Sequence, residues 1–290
     1  MVESYGMIFT QKNFEELQML EKEFKLIPRM HLYMVIKTPK YKIVTLDILS
    51  DGSIKLEIGQ EGTTDNLEIQ LEFIEKNINI NMSNNRDEIE VIDKFNNTIF
   101  KANVINLLLN FEVEIDCEVV YIGQSFGTDG NRNVIDRLKS HSTLQKIYFE
   151  KEDERSIYLT AWNFDRNTLT MISPNESYDV YSEKMIAQLK MVKNPYDLIA
   201  REQEITITEA ALIRYFQPKY NTEYKKSFPS KNHSDYDDFF KMNLDYIAVE
   251  MDTTRLKLKL YSERIKSNFC HNIFFDLKEK RHMNNFFGIE

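Results

Sequence analysis

Three short stretches of this chain carry side chains able to work on a phosphate. Tyr121-Ile122-Gly123 closes a β-rich run, FEVEIDCEVVYIG, so its phenol stands at a strand end beside a glycine. Arg137 and His141 follow four residues apart, the spacing that puts a guanidinium and an imidazole on one face if residues 133–144 form one helix. Much later comes EAALIRYFQPKYN, residues 209–221, in which Leu212, Ile213 and Phe216 bury one side of a helix and Pro218 ends it. Glu209 and Asn221 bracket that helix end. A planar guanidinium grips phosphate oxygens in pairs, and a carboxylate is a natural ligand for a hard divalent cation that keeps several waters. A phenol of ordinary pKa about 10 needs neighbouring positive charge to accept a proton near neutral pH, which Arg137 and His141 would supply.

Each residue alone has a plainer reading. Tyr121 would pack on a core, Glu209 would be a solvated helix residue, and Arg137 and His141 would lie on a surface. A different chemistry is offered by Gly123-Gln124-Ser125-Phe126-Gly127, which fits the nucleophile elbow of serine hydrolases with Ser125 as nucleophile. That elbow needs a helix to begin directly after the serine, where Thr128-Asp129-Gly130-Asn131 stands instead.

The elements that must position these groups alternate between β and α periods. Phe14, Leu17, Leu20 and Phe24 predict a helix over residues 13–24; HLYMVIK, KYKIVTLDIL, SIKLEIG and LEIQLEFI predict strands. TPKY and Asp51-Gly52 between them predict antiparallel hairpins. The asparagine-rich stretch 76–97 reads as an exposed loop, and residues 98–109 as helix or strand. Strands over 118–122 and 156–164 and helical pieces over 182–191 and 208–216 complete the pattern.

The chain has 290 residues, enough for more than one core, and a formal net charge of −9, which excludes a protein that coats nucleic acid by charge alone. No run approaches the roughly 20 apolar residues of a membrane span, and the start is acidic where a signal peptide would be basic, so a cytoplasmic protein without membrane contact is expected. Cys117 and Cys270 lack metal-ligand spacing and read as buried thiols. His233, His271 and His282 show no ligand spacing either. The paired phenylalanines near the C-terminus read as core. The basic stretch RLKLKLYSERIKSNF reads as a solvated edge strand, with contact to a DNA backbone as the alternative.

The order Tyr-Ile-Gly, arginine on the next helix, then Glu-x-x-Leu-Ile-Arg closed by Pro-x-Tyr-Asn resembles the GIY-YIG endonuclease family over about a third of the chain. The resemblance implies an α+β domain with a three-stranded antiparallel sheet flanked by helices, cleaving DNA phosphodiesters with one divalent metal ion, Mg2+ or Mn2+. It implies that Glu209 holds the metal, Arg137 binds the scissile phosphate, Tyr121 acts as general base, His141 binds phosphate or relays a proton, and Asn221 positions the site. The chain would divide into a β-rich N-terminal module (1–97), the nuclease domain (98–226) and a C-terminal extension (227–290). DNA, through its phosphates, is the implied partner, with RNA as an alternative. The N-terminal module could serve a homodimer or a protein partner. The family's first tyrosine should lie about ten residues before Tyr121, where LLLNFEVEIDCEVV has none; its strand is expected at 111–115. Arg132 would lie on a long DNA-facing loop. A catalytically silent binding module is the alternative reading.

Overall fold

LYMVIKTP forms β2 (Leu32–Pro39), a strand buried on both faces because it is the middle of a five-stranded sheet. The sheet order is β1 (Tyr5–Phe9), β10 (Arg155–Asn163), β2, β9 (Ile115–Gln124) and β12 (Leu258–Tyr261). All neighbours are antiparallel except β12, which runs parallel to β9. The computed structural model describes residues 5–20, 30–73, 78–125, 134–139, 141–150, 152–164, 201–228 and 246–276.

Two apolar layers sandwich the sheet. On one face Leu32, Met34, Ile36, Cys117 and Trp162 pack with α5 (Arg201–Phe216), which contributes Leu212, Ile213 and Phe216. On the other, Tyr33, Val35, Val120 and Leu159 meet α3 (Val134–Lys139) and α4 (Ser142–Phe149) through Val134, Leu138, Leu144 and Ile147. The short α1 (Phe14–Gln18) adds Phe14 and Leu17 to that layer. Each such side chain withdrawn from water contributes about 1.5–3 kcal/mol before conformational entropy is set against it.

Between β2 and β9 the chain builds two more three-stranded antiparallel sheets. One holds β3 (Tyr41–Ile48), β4 (Ile54–Gln60) and β5 (Asn66–Leu71); the other holds β6 (Asn79–Met82), β7 (Glu88–Ile92) and β8 (Thr98–Asn103). Asp51-Gly52 closes the β3–β4 hairpin as expected: Gly52 has φ +89°, and Asp51 Oδ1 accepts the Ser53 N–H at 2.9 Å. α2 (Val104–Asn110) follows, with Asn103 as N-cap. A further pair, β11 (Tyr246–Asp252) and β13 (Cys270–Asp276), lies against α5.

The α+β class and a three-stranded antiparallel sheet are therefore present, while several local expectations are corrected. TPKY joins β2 to β3 without a hairpin, since the two strands belong to different sheets. The expected loop 76–97 contains β6 and β7, with Asn79 and Asn81 on β6 itself, and Ile89 and Val91 are buried. Residues 111–114 are turn and coil rather than a strand preceding Tyr121. The expected helix over 13–24 is realised as five-residue α1, and residues 21–29 lie outside the described set. α5 begins at Arg201, before the expected 208, and the helical piece at 182–191 also lies outside the described residues. Cys270 is exposed, while Cys117 is buried. The five-stranded sheet draws strands from all three expected segments, so the boundaries at 97 and 227 run through one shared sheet. The basic tail does supply an edge strand, β12; Lys257 just before it and Lys259 on it pair with Glu112 and Glu114. Among the described residues no helix is long and apolar enough to cross a membrane.

Gly6 on β1 stands opposite Trp162, and a Cβ there would overlap the indole ring. Gly6→Ala should therefore lower stability by about 1–3 kcal/mol in urea unfolding. An unchanged midpoint would show that β1 does not pack on Trp162.

Candidate active site

The site begins with an irregularity in β9. Its pairing with β2 runs from Val35↔Tyr121 directly to Ile36↔Val119, leaving Val120 as an extra residue. Such a bulge reverses the alternation of side chains. Cys117 and Val119 face the α5 layer, but Tyr121 turns to the α3–α4 side, the side of Tyr33. Tyr33 and Tyr121 thus become neighbours across two strands, ring centroids 6.1 Å apart.

Gly123 lies opposite Tyr33, and a Cβ there would come within 2.5 Å of the Tyr33 hydroxyl. The glycine keeps space for the pair of phenols. Beyond Glu118 β9 has no partner in β12, and the segment after α5 completes that edge. Pro218 ends the helix and turns the chain back, the Tyr220 N–H donates to the Val120 carbonyl at 3.0 Å, and Asn221 grips Ile122 twice. The Ile122 N–H donates to Asn221 Oδ1 at 2.9 Å, and Asn221 Nδ2 donates to the Ile122 carbonyl at 2.8 Å. Asn221 is itself buried, so it acts as a mock strand residue holding the bulge in shape.

Arg137 and His141 reach the phenols by a different route from the one expected. Residues 133–144 are not one helix: α3 ends at Lys139, and His141 adopts an extended conformation as the N-cap of α4. Its Nδ1 accepts the Leu144 N–H at 3.1 Å, so in the neutral ring the proton sits on Nε2. The imidazole stands edge-on to Tyr121 at 5.1 Å and to Tyr33 at 5.8 Å. Arg137 lies close enough to Tyr33 and Tyr121 to favour the ionised form of both phenols.

Glu209 approaches from α5 near Gln124 at the end of β9, where a hydrogen bond from the Gln124 backbone favours its ionised form. Gln124 is tied to the same helix by Nε2 donating to Thr206 Oγ1 at 3.2 Å. Tyr121, Arg137, His141 and Glu209 are all brought together, with Asn221 behind them, and Tyr33 joins them although sequence reasoning passed over it. The signal in HLYMVIK was there: a strand apolar on both faces is a central strand, and a tyrosine near its start must lie against its neighbours.

Burial dominates the electrostatics. It raises Glu209 to about 8, assisted by nearby Glu223 and opposed by the Gln124 hydrogen bond and by Arg137. Burial also raises both phenols, with Glu209 adding to the rise at Tyr121 and Arg137 opposing it. His141 is pushed down to about 4 by burial and by Arg137, so it is neutral at pH 7 and supplies no positive field to Tyr121. That part of the expectation is corrected: Arg137 is the cation among the groups acting on Tyr121.

A desolvated carboxylate with two phenols beside it suits a hard, hydrated divalent cation, which would reverse the upward shift of Glu209. Among the described residues no group of three or more His, Cys, Asp or Glu converges on a metal position; Glu223 is a second carboxylate that acts on Glu209. Ser125 is buried, and its hydroxyl is directed at the carbonyls of Met30 and His31, each at 3.3 Å, an anchoring role rather than an exposed nucleophile. Arg132, His233 and His282 lie outside the described residues. Compared with family models, curated proteins and solved structures, the chain matches none of them.

Because the fold keeps His141 neutral, its contribution to stability is complete above pH 6.5 and is lost as pH falls from 6.5 through 4, by about 2–3 kcal/mol. His141→Asn retains an N-cap without titrating there. Urea unfolding at pH 7 and pH 4.5 should show a smaller acid loss in the variant, and equal losses would contradict the neutral cap.

Proposed function

We propose that this chain is a divalent-metal-dependent endonuclease of GIY-YIG type that hydrolyses phosphodiester bonds in DNA. The observation that carries the reading is the pair Tyr33 and Tyr121 on adjacent antiparallel strands, ringed by Arg137, His141 and Glu209. Tyr33 takes the part of the family's first-strand tyrosine, which no residue near position 111 takes. The long chain segment 40–114 then stands between the two tyrosine-bearing strands and explains why the first was not found close to the second.

In this reading the residues divide the work by their chemistry. Arg137 binds the scissile phosphate and stabilises charge growing on its oxygens. His141 is a neutral donor through Nε2, suited to a phosphate oxygen. Tyr121, beside Tyr33 and within the field of Arg137, would take a proton from the attacking water. Asn221 positions Tyr121 through the Ile122 peptide. Glu209 would hold Mg2+ or Mn2+, which supplies Lewis-acid stabilisation of the phosphate when bound.

Incubation with plasmid, single-stranded DNA and RNA, with magnesium or manganese against a chelator, tests the proposal. Cleavage of DNA is expected, reduced by about 100-fold or more in Glu209→Gln and in Arg137→Ala. Undiminished cleavage by both variants would sink the assignment, and a folded wild type that cuts nothing would favour a silent binding module.

A further inference from the structure

The first half of α5 carries two threonines in the run Ile205-Thr206-Ile207-Thr208, and their hydroxyls go to different places. Thr208 donates to the Glu204 carbonyl one turn back, at 2.7 Å, which satisfies a hydroxyl within its own helix. Thr206, 3% exposed, reaches out of the helix instead and meets the side-chain amide of Gln124, its Oγ1 lying 3.2 Å from Nε2 and 3.4 Å from Oε1. A β-branched residue in a helix interior costs about 0.5 kcal/mol against alanine, and a buried hydroxyl costs more unless it is bonded. An apolar residue, as at the neighbouring Ile205 and Ile207, would serve packing alone.

Both ends of this bridge are fixed. Gln124 is the last residue of β9 and pairs with Leu32 at the start of β2, so its backbone belongs to the central sheet. Thr206 precedes Glu209 by three residues, which places the two on one face of the helix with Ala210 and Ile213, all of them buried. Beyond the end of α5, Asn221 ties the same strand through Ile122. Glu209 therefore stands between two ties from its helix to β9, the strand that carries Tyr121. Without the first tie, Pro218 and Asn221 would still anchor the end of α5, but the turn that bears Glu209 would be held by apolar packing alone.

We propose that Gln124 and Thr206 are positioning residues, which fix the Glu209 carboxylate relative to the tyrosine pair and thereby set the affinity of the site for its divalent cation. This inference rests on the proposed reading of Glu209 as the cation's ligand. Neither residue is a ligand itself, because their polar groups are directed at each other. Hydrated divalent cations take few protein groups, so affinity depends strongly on how well each of those groups is held in place.

Binding of Mn2+ to the full chain, followed by the electron paramagnetic resonance signal of the free ion, tests this role without any cleavage assay. Thr206→Val, which keeps the shape and removes the hydroxyl, and Gln124→Leu should each raise the Kd for Mn2+ by about tenfold. Thr206→Ser, which restores the hydroxyl, should bind within about twofold of wild type. Thr208→Val, whose lost hydroxyl served only its own helix, should match wild type and controls for a general loosening of α5. If Gln124→Leu melts early in chelator, Thr206→Val set against Thr206→Ser carries the test. Wild-type affinity in Thr206→Val, or an equal loss in Thr208→Val, would overturn the positioning role and leave Glu209 standing as the ligand. A folded wild type that binds no Mn2+ would overturn both.

Discussion

The pairing of β2 with β9, with its one-residue bulge at Val120, is the constraint on which the site depends. Without the bulge Tyr121 would alternate onto the α5 face, on the far side of the sheet from Tyr33. The bulge in turn needs backbone partners, because β12 stops short of it. Tyr220 and Asn221 supply them, and they can do so because Pro218 stops α5 and sends the chain back along β9. A helix end, a strand irregularity and a buried amide thus form one unit, and the catalytic candidates Tyr121 and Glu209 hang from its two sides.

That unit places a carboxylate and two phenols where water has been removed. Burial favours the neutral form of every one of them, and Arg137 only partly opposes it. A second helix end adds His141, whose cap role fixes both its tautomer and its neutrality. The cluster is consequently poor in positive charge for the number of acidic groups it holds, a balance that a hard cation at Glu209 would correct.

Local patterns made much of this legible. The helix from Glu209 to Phe216 announced itself by its apolar spacing and its proline, and Asn221 by its place after that proline. The β3–β4 hairpin was readable from Asp51-Gly52, and the edge strand β12 from alternating leucine and lysine. Long-range pairing was not readable. Nothing local says that HLYMVIK pairs with a strand far along the chain, so Tyr33 stayed hidden and the boundary at 97 was drawn through a shared sheet. The break between Arg137 and His141 was also hidden, because their spacing of four satisfies a helix equally well. Asparagines on β6 and in the turns beside β7 looked like loop composition. In each case a tertiary contact decided between local readings that the residues alone permitted.

The central claim, that the buried Glu209 carboxylate beside the tyrosine pair is a cation site, is tested most directly by thermal unfolding at pH 8.5. At that pH Glu209 is largely ionised in the fold, and its raised pKa means that the stability present below about 4.5 has been lost by the time pH passes 8. Saturating Mn2+ should raise the wild-type Tm by about 3–6 °C. Glu209→Gln, uncharged at the same position, should not respond. An equal response from both proteins, or none from a folded wild type, would contradict the account.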